Sequence, residues 1–277
     1  MNTMKMKRFS KKTVSLIILS ILALLAFIPL YWMVVTAFKE PTLTMKFPPE
    51  IFPKNPTLQN FEALFKRRDL FRWTLNSVIV AGTVTITQIF LCAMAGYAIA
   101  KKRFPGSKIF FWIYISSMMI PKQVTIVPLY IMVANFGMVD SYGGLILPSI
   151  AAPFGVFLMR QFMLSLPNEI IDAARIDGAG EFRTFWKIVL PMSKPALAVL
   201  GIFTFVGEWN SFLWPLIVTQ SSKMKTLQAG LALIQEEVPM EYAYLMAGAT
   251  FAAIPMIIVF LSFQKYFLRG VTVGAVK

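Results

Sequence analysis

Apolar positions gather into six long runs, at 13–38, 73–100, 109–133, 142–162, 195–218 and 244–267, separated by charged or Pro/Gly-marked breaks. At about 1.5 Å per helical residue each run is long enough to cross a hydrocarbon core of about 30 Å. The chain lacks the alternating segments of about ten residues that a membrane β-barrel would need. The pattern therefore predicts an all-α, polytopic membrane protein with six transmembrane helices. Lys5, Lys7, Arg8, Lys11 and Lys12 precede the first run, as in a signal peptide. That run is too long for a signal core, and Tyr31, Trp32 and Phe38 crowd the end where a small-residue cleavage site belongs, so a retained first helix is expected.

The polar stretches carry their own patterns. After the first run, Pro41, Pro48, Pro49, Pro53 and Pro56 predict an extended path, and Thr57 is placed to cap a short amphipathic helix with Leu58, Phe61, Leu64 and Phe65 on one face. Between the fourth and fifth runs, Ser165 is placed to cap a helix beginning near Pro167, with Glu169 in its first turn and Ile170, Ile171 and Ala174 on its apolar side. Asp177-Gly178 interrupts that helix. Phe182, Phe185, Trp186 and Val189 then recur at helical spacing, predicting a second short helix that ends before Pro191.

Composition narrows the chemistry. Of 277 residues 57% are hydrophobic and 14% charged, and the mean hydropathy is +0.66, which leaves no room for a sizeable soluble catalytic domain beside six spans. The absence of histidine excludes a His-based triad or an imidazole-held metal, and the lone Cys92 cannot build a disulfide framework and reads as a packing residue. No catalytic or metal-ligating set is expected. The net charge of +14 is mostly topological. The N-terminal segment has five basic residues and no acid, the 101–108 loop has four and no acid, and the 135–143 loop has only Asp140. Both termini are therefore expected to be cytoplasmic, the loop 160–194 cytoplasmic and the loop 221–241 external, with anionic membrane lipid rather than nucleic acid meeting the positive charge.

Asp172-Ala173-Ala174-Arg175-Ile176-Asp177-Gly178, followed after nine residues by Ile188-Val189-Leu190-Pro191, resembles the EAA loop of permease subunits of binding-protein-dependent ABC importers. In that loop Glu-Ala-Ala, three residues and Gly precede Ile-x-Leu-Pro; here Asp172 stands for the Glu, one methylene shorter with the same charge. Leu75-Asn76-Ser77, Ile120-Pro121 with Pro128-Leu129-Tyr130, Glu208-Trp209-Asn210 with Trp214-Pro215-Leu216, and Arg269-Gly270 with Gly274-Ala275-Val276-Lys277 resemble the carbohydrate-uptake branch, similar to the maltose transporter.

The resemblance implies a type I ABC importer transmembrane fold in a bacterial inner membrane. Its organisation would be 1–72, the N-terminus, first helix and external segment; 73–266, the transmembrane core with its coupling loop at 163–194; and 267–277, a cytoplasmic tail touching the ATPases. It implies a second permease subunit, two ATPase subunits that use ATP-Mg, and an external solute-binding protein that delivers a sugar or oligosaccharide. The coupling set would be Asp172, Ala173, Ala174, Arg175, Asp177, Gly178, Ala179, Phe185, Trp186 and Pro191. The small residues allow close approach, Asp172 and Arg175 offer charged contacts, and Phe185 and Trp186 anchor the second helix. No G-x-x-x-x-G-K-[ST] loop occurs, so any ATP must be hydrolysed by a partner.

Polar residues inside the spans supply candidates for the substrate path: Lys122, Gln123, Glu208, Trp209, Asn210 and Trp214. Carboxylate and amide would meet sugar hydroxyls and the indoles a ring's apolar face, while Lys122 and Glu208 could equally form a buried ion pair. Asn76 and Gln88 read as interhelical hydrogen bonders. Leu227, Leu231 and Ile234 mark a helical face in the outer 221–241 segment that could dock the binding protein or simply pack. Two other readings stand beside the importer: a secondary transporter, which would call for inverted repeats, and a lipid-modifying enzyme, which would call for a clustered nucleophile or metal set.

Overall fold

The computed structural model describes residues 2–41, 50–66, 69–102, 104–237 and 242–273, with side chains from Thr13 to Ile234 and from Tyr242 to Phe263. The helices, in chain order, are α1 (Asn2–Ala37), α2 (Gln59–Lys66), α3 (Asp69–Lys101), α4 (Ser107–Ser116), α5 (Lys122–Asn135), α6 (Tyr142–Ile150) and α7 (Pro153–Leu164). They continue as α8 (Asn168–Ile176), α9 (Glu181–Thr184), a π turn (Phe185–Val189), α10 (Leu190–Met192), α11 (Lys194–Trp209), α12 (Leu213–Val218), α13 (Leu227–Glu237) and α14 (Tyr242–Val273).

Among the described residues, three stretches are long and apolar enough to cross a membrane as continuous helices, Thr13–Ala37, Asp69–Lys101 and Tyr242–Phe263. Three bent pairs raise the number to as many as six if each pair is one span: Ser107–Met119 with Lys122–Asn135 at 102°, Tyr142–Ile150 with Pro153–Leu164 at 40°, and Glu181–Met192 with Lys194–Trp209 at 76°. The runs 109–133 and 142–162 are helical as expected, and each is broken in two by a bend. Proline is the cause: Ile120 before Pro121 is extended at φ −85°, ψ 116°, and Ala152 before Pro153 sits at φ −121°, ψ 91°. A proline's ring disfavours the helical region for the residue before it. The fifth run differs too, since α11 ends at Trp209 and α12 starts only at Leu213.

The chain forms two compact units, Met1–Arg68 with Leu231–Ala253, and Asp69–Gly230 with Ile254–Lys277. In the first, the α1 side chains from Thr13 to Leu30 are exposed, and the ordered contacts concentrate at its C-terminal end. Thr57 accepts a hydrogen bond from the Gln59 amide at 3.2 Å, as the capping reading expects. The face is not the one anticipated, for Leu58 is exposed and Asn60 is buried beside Leu64. Asn60 donates to the carbonyls of Ala37 at 2.9 Å and Lys39 at 2.7 Å, holding α2 against the end of α1. Phe38 packs on Phe61 at 5.2 Å, and Phe65 meets Phe251 edge-on at 5.5 Å.

The second unit is organised around α3. Its inner face packs on α7 through Cys92, Ala93, Tyr97, Val156, Met159 and Met163, with Leu200 of α11 closing the cluster. Cys92 is buried, as expected of a packing residue. The crossing is close because Gly96 and Gly155 face the partner helix without a side chain: a Cβ on Gly96 would lie 2.7 Å from Met159 Cβ and 2.9 Å from the Arg160 amide nitrogen.

Polar groups pin this unit midway along α3. Gln88 donates to the Ser149 carbonyl at 2.5 Å and accepts from the Thr204 hydroxyl at 2.8 Å, joining α3, α6 and α11. Gln88→Leu would orphan both partners at a cost of about 1 kcal/mol, so the thermal midpoint in detergent is expected to fall by about 2–4 °C. An unchanged midpoint would mean that Ser149 and Thr204 re-pair.

At the Asp69 end, Asn76 donates to the carbonyls of Lys223 and Lys225, each at 2.8 Å, and accepts from the Tyr142 hydroxyl at 2.6 Å. Asp140, at φ 58°, accepts from the amides of Gln220 at 2.9 Å and Ser221 at 3.0 Å. Burial pushes the Asp140 carboxyl up, but the Ser221 and Gln220 hydrogen bonds and the Lys225 charge outweigh it and hold it below its ordinary value. A depressed carboxylate contributes stability that is present above its unfolded value, near 3.8, and lost as pH falls through the lower folded value. Thermal midpoints measured from pH 5 downward are expected to drop more steeply for the wild type than for Asp140→Asn, which keeps the acceptor and the tolerated backbone but cannot titrate; parallel curves would remove Asp140 from the acid response.

Candidate functional site

The Lys101 end of the second unit carries the loop singled out in the sequence. Helix α8 turns Ile171 and Ala174 inward and leaves Asp172, Ala173, Arg175 and Ile176 outward, Ile176 being 87% exposed. It ends in a Schellman motif: the Gly178 amide donates to the Arg175 carbonyl at 3.0 Å and the Ala179 amide to the Ala174 carbonyl at 2.9 Å, with Gly178 at φ 75°. Asp177 is the last residue before that turn. Ser165 does not cap α8 as expected: its hydroxyl donates to the Phe162 carbonyl at 2.7 Å at the end of α7, and α8 starts after Pro167 with no side-chain cap.

The second helix of the loop also departs from expectation, because it continues past Pro191 to Met192. Pro191 has no N–H for the ordinary ladder, and the preceding turn widens so that the Leu190 amide reaches the Phe185 carbonyl. Phe185 and Val189 are buried in the α3–α7 core, whereas Trp186 is 38% and Phe182 70% exposed. Phe185 packs at a tilt on Tyr97, 5.4 Å between ring centroids, and Trp186 lies 5.5 Å from Phe90. Both aromatics thus tie the loop to α3.

A charged network bridges the two loop helices, and only its Arg175–Asp172 pair lies at helical spacing. Arg175 bonds Asp172 at 3.1 Å and Glu181 at 3.2 Å, and Glu181 also accepts from Lys102 and, at 3.3 Å, from the Tyr97 hydroxyl. The hydrogen bond to Glu181 keeps the Arg175 guanidinium charged beyond its already high ordinary value. Lys101 donates to the Leu166 carbonyl at 2.6 Å and the Asn168 side chain at 2.8 Å, fixing the α7–α8 joint. Tyr97, Lys101, Lys102 and Glu181 were not singled out from sequence, where the lysines counted only as topological charge.

The candidate path residues are dispersed in their surroundings. Lys122 and Gln123 are exposed in the first turn of α5. The Glu208 carboxylate accepts from the Ser149 hydroxyl at 3.2 Å and feels the Lys122 charge through space, but among the described residues no ion pair joins the two. Trp209 is 1% exposed and stacks on Phe205 at 5.9 Å; Trp214 donates to the Gly144 carbonyl at 3.0 Å; Asn210 is exposed at the end of α11. Leu227 and Ile234 are buried, so the helical face marked in the 221–241 segment is largely consumed by packing. Residues 238–241 and 274–277 lie outside the described residues, as do the side chains of Glu236, Glu237 and the 267–273 stretch, so only the helical backbone of the proposed tail, through Val273, is placed.

Up to six candidate spans and a two-helix loop at one end define an α-helical, polytopic membrane protein. The family described as binding-protein-dependent transport system inner membrane component matches residues 89–273, and the chain belongs to that family. It is 38% identical over 259 residues to the arabinooligosaccharides transport system permease protein AraQ of Bacillus subtilis (strain 168), covering 92% of each chain. It is 36% identical over 262 residues to the sn-glycerol-3-phosphate transport system permease protein UgpE of Yersinia enterocolitica, covering 92% of this chain and 93% of the other. A chain of a solved bacterial ABC transporter involved in the import of the acidic polysaccharide alginate shares the fold, with a TM-score of 0.79 at 22% identity over 92% of this chain and 95% of that one. The all-α importer fold expected from sequence is therefore the fold of this protein, and membership in a binding-protein-dependent family answers the secondary-transporter and lipid-enzyme readings.

Proposed function

We propose that this chain is one of two permease subunits of an ATP-driven importer, that it carries a sugar or oligosaccharide handed over by an external solute-binding protein, and that its 163–194 loop docks on a separate ATPase. The observation that carries the reading is the loop itself. An amphipathic helix, closed by a Schellman turn and bridged to the next by Arg175–Glu181, holds the nearly fully exposed Ile176 beside Asp172 and Ala173. A large apolar side chain held outward on a rigid, charged loop suits a protein groove. Two ATPase subunits would bind and hydrolyse ATP-Mg, so this chain itself is no enzyme and needs no cofactor. The excess of lysine and arginine on the 101–108 loop and the N-terminal segment favours a cytoplasmic loop and cytoplasmic termini in a bacterial inner membrane.

A carbohydrate is the substrate class best supported. AraQ, named for arabinooligosaccharides, aligns along nearly the whole chain. The Glu208 carboxylate suits a neutral, hydroxyl-bearing substrate better than a phosphorylated one, because it accepts hydrogen bonds from hydroxyls and repels phosphate.

Copurification in mild detergent tests the assembly. The tagged wild type is expected to bring down a second permease and an ATPase, and Ile176→Glu to lose the ATPase by more than about five-fold while keeping the second permease. Recovery of the chain alone, or an ATPase yield indifferent to Ile176→Glu, would overturn the docking assignment.

A further inference from the structure

At the Lys101 end of α3, a cavity of about 480 Å³ opens where the last turn of α3, the first turn of α4 and α7 meet. Lys102, Lys108 and Arg160 line it, and among the described residues no carboxylate does; Phe104 and Leu164 supply apolar wall. Arg160 lies 3.9 Å over the Phe111 ring, and its Nε is buried with no hydrogen-bond partner. A buried guanidinium nitrogen left unpaired costs free energy, and the charge it belongs to adds to the positive potential of the cavity that Arg160 lines. Gly106 opens α4 without a side-chain cap, so the positive end of that helix adds to the same potential.

Directly after Lys108, α4 presents Ile109, Phe110, Trp112 and Ile113, each more than 60% exposed. A cationic recess continuous with an apolar ridge matches a molecule that is anionic at one end and hydrocarbon at the other. We propose that this cavity binds the phosphate of an anionic phospholipid, with the acyl chains lying along α4. Phosphate is the shared chemistry, since a free phosphate ion could use the cations but would leave the ridge uncovered. Lys102 gives the site its reach: the same ammonium pairs with Glu181 of the loop, so a lipid phosphate and the loop compete for it. The leaflet assignment rests on the proposed orientation, but the site does not.

The test is native mass spectrometry of the purified, delipidated assembly titrated with phosphatidylglycerol, phosphatidylcholine or inorganic phosphate. The wild type is expected to retain phosphatidylglycerol over phosphatidylcholine by at least about five-fold, the scale set by one basic side chain near a lipid surface. Lys108 is exposed and outside the core, so Lys108→Glu is expected to abolish that preference without disturbing assembly, which size exclusion verifies. Lys108→Gln, expected to weaken the preference, serves if the charge reversal does not assemble. Equal retention by wild type and variant overturns the site, and displacement of the lipid by inorganic phosphate assigns it to a soluble anion and overturns the lipid. The same titration on the full chain purified without partners keeps a failure here separate from a failure of the importer reading.

Discussion

Gly96→Leu is expected to be among the most damaging single substitutions in this protein, with little of the chain recovered as a monodisperse species from detergent. The added Cβ would stand 2.7 Å from Met159 Cβ and 2.9 Å from the Arg160 amide nitrogen. Neither obstacle is the far end of a flexible side chain, so α3 and α7 must separate. That separation would open the core in which Cys92, Tyr97, Met159 and Met163 meet the loop residues Ile171 and Phe185. Overpacking costs about 1–3 kcal/mol, and with backbone as the obstacle the upper end applies, roughly a 6–12 °C fall in thermal midpoint. Gly82→Ala on the same helix is the control: its Cβ would meet nothing within 4 Å, and the midpoint is expected to hold or rise slightly. Comparable losses in both variants would mean that helix flexibility, not the crossing distance, is what the glycines supply.

Gly178 carries the second large effect, on function rather than folding. A Cβ there would meet nothing within 4 Å, so substitution acts only through the backbone at φ 75°. The left-handed region costs an ordinary L residue roughly 1–2 kcal/mol, more for a β-branched one, and least for asparagine. Gly178→Val should therefore break the Schellman turn and release α8 from its fixed angle, while Gly178→Asn should keep it. In reconstituted assemblies Gly178→Val is expected to lower substrate uptake per ATP hydrolysed by roughly ten-fold or more, the chain remaining inserted, and Gly178→Asn to stay within about two-fold of wild type. If the two variants behave alike, the conformation at Gly178 is not what couples the loop.

The six spans and the broken loop helix were legible because each rests on a local rule: apolar runs of bilayer length, and a glycine placed where an L side chain is strained. Asn76 and Gln88 were legible for a similar reason, since an amide at membrane depth must find partners. Their particular partners, such as the Lys223 and Lys225 carbonyls, depend on tertiary placement. Which prolines bend a span was not legible. Pro148 and Pro255 sit inside helices while Pro121 and Pro153 stand at bends of 102° and 40°, and the apolar pattern around all four is alike. Ser165 was misread because two roles compete for one hydroxyl, and the carbonyl left open at the end of α7 took it. The Lys102–Glu181–Arg175 network joins residues 79 positions apart at its widest, and no local spacing announces it. Trp209 and Trp214 could be located in a span from sequence, but not the neighbours that occupy them.

The bend at Ser193 gives the molecule a mechanical property. The loop's second helix and α11 meet at 76° with no slack between them, because Ser193 bonds back to Val189 through both its amide, at 3.0 Å, and its hydroxyl, at 2.8 Å. Two stiff arms joined at a fixed angle make a crank: motion along one arm emerges as sideways motion of the other. Helix α11 has 16 residues, about 24 Å of arm, so a turn of about 5° at the elbow would sweep the far end through roughly 2 Å. Glu208 rides at that far end, where a shift of such size is enough to make or break a hydrogen bond.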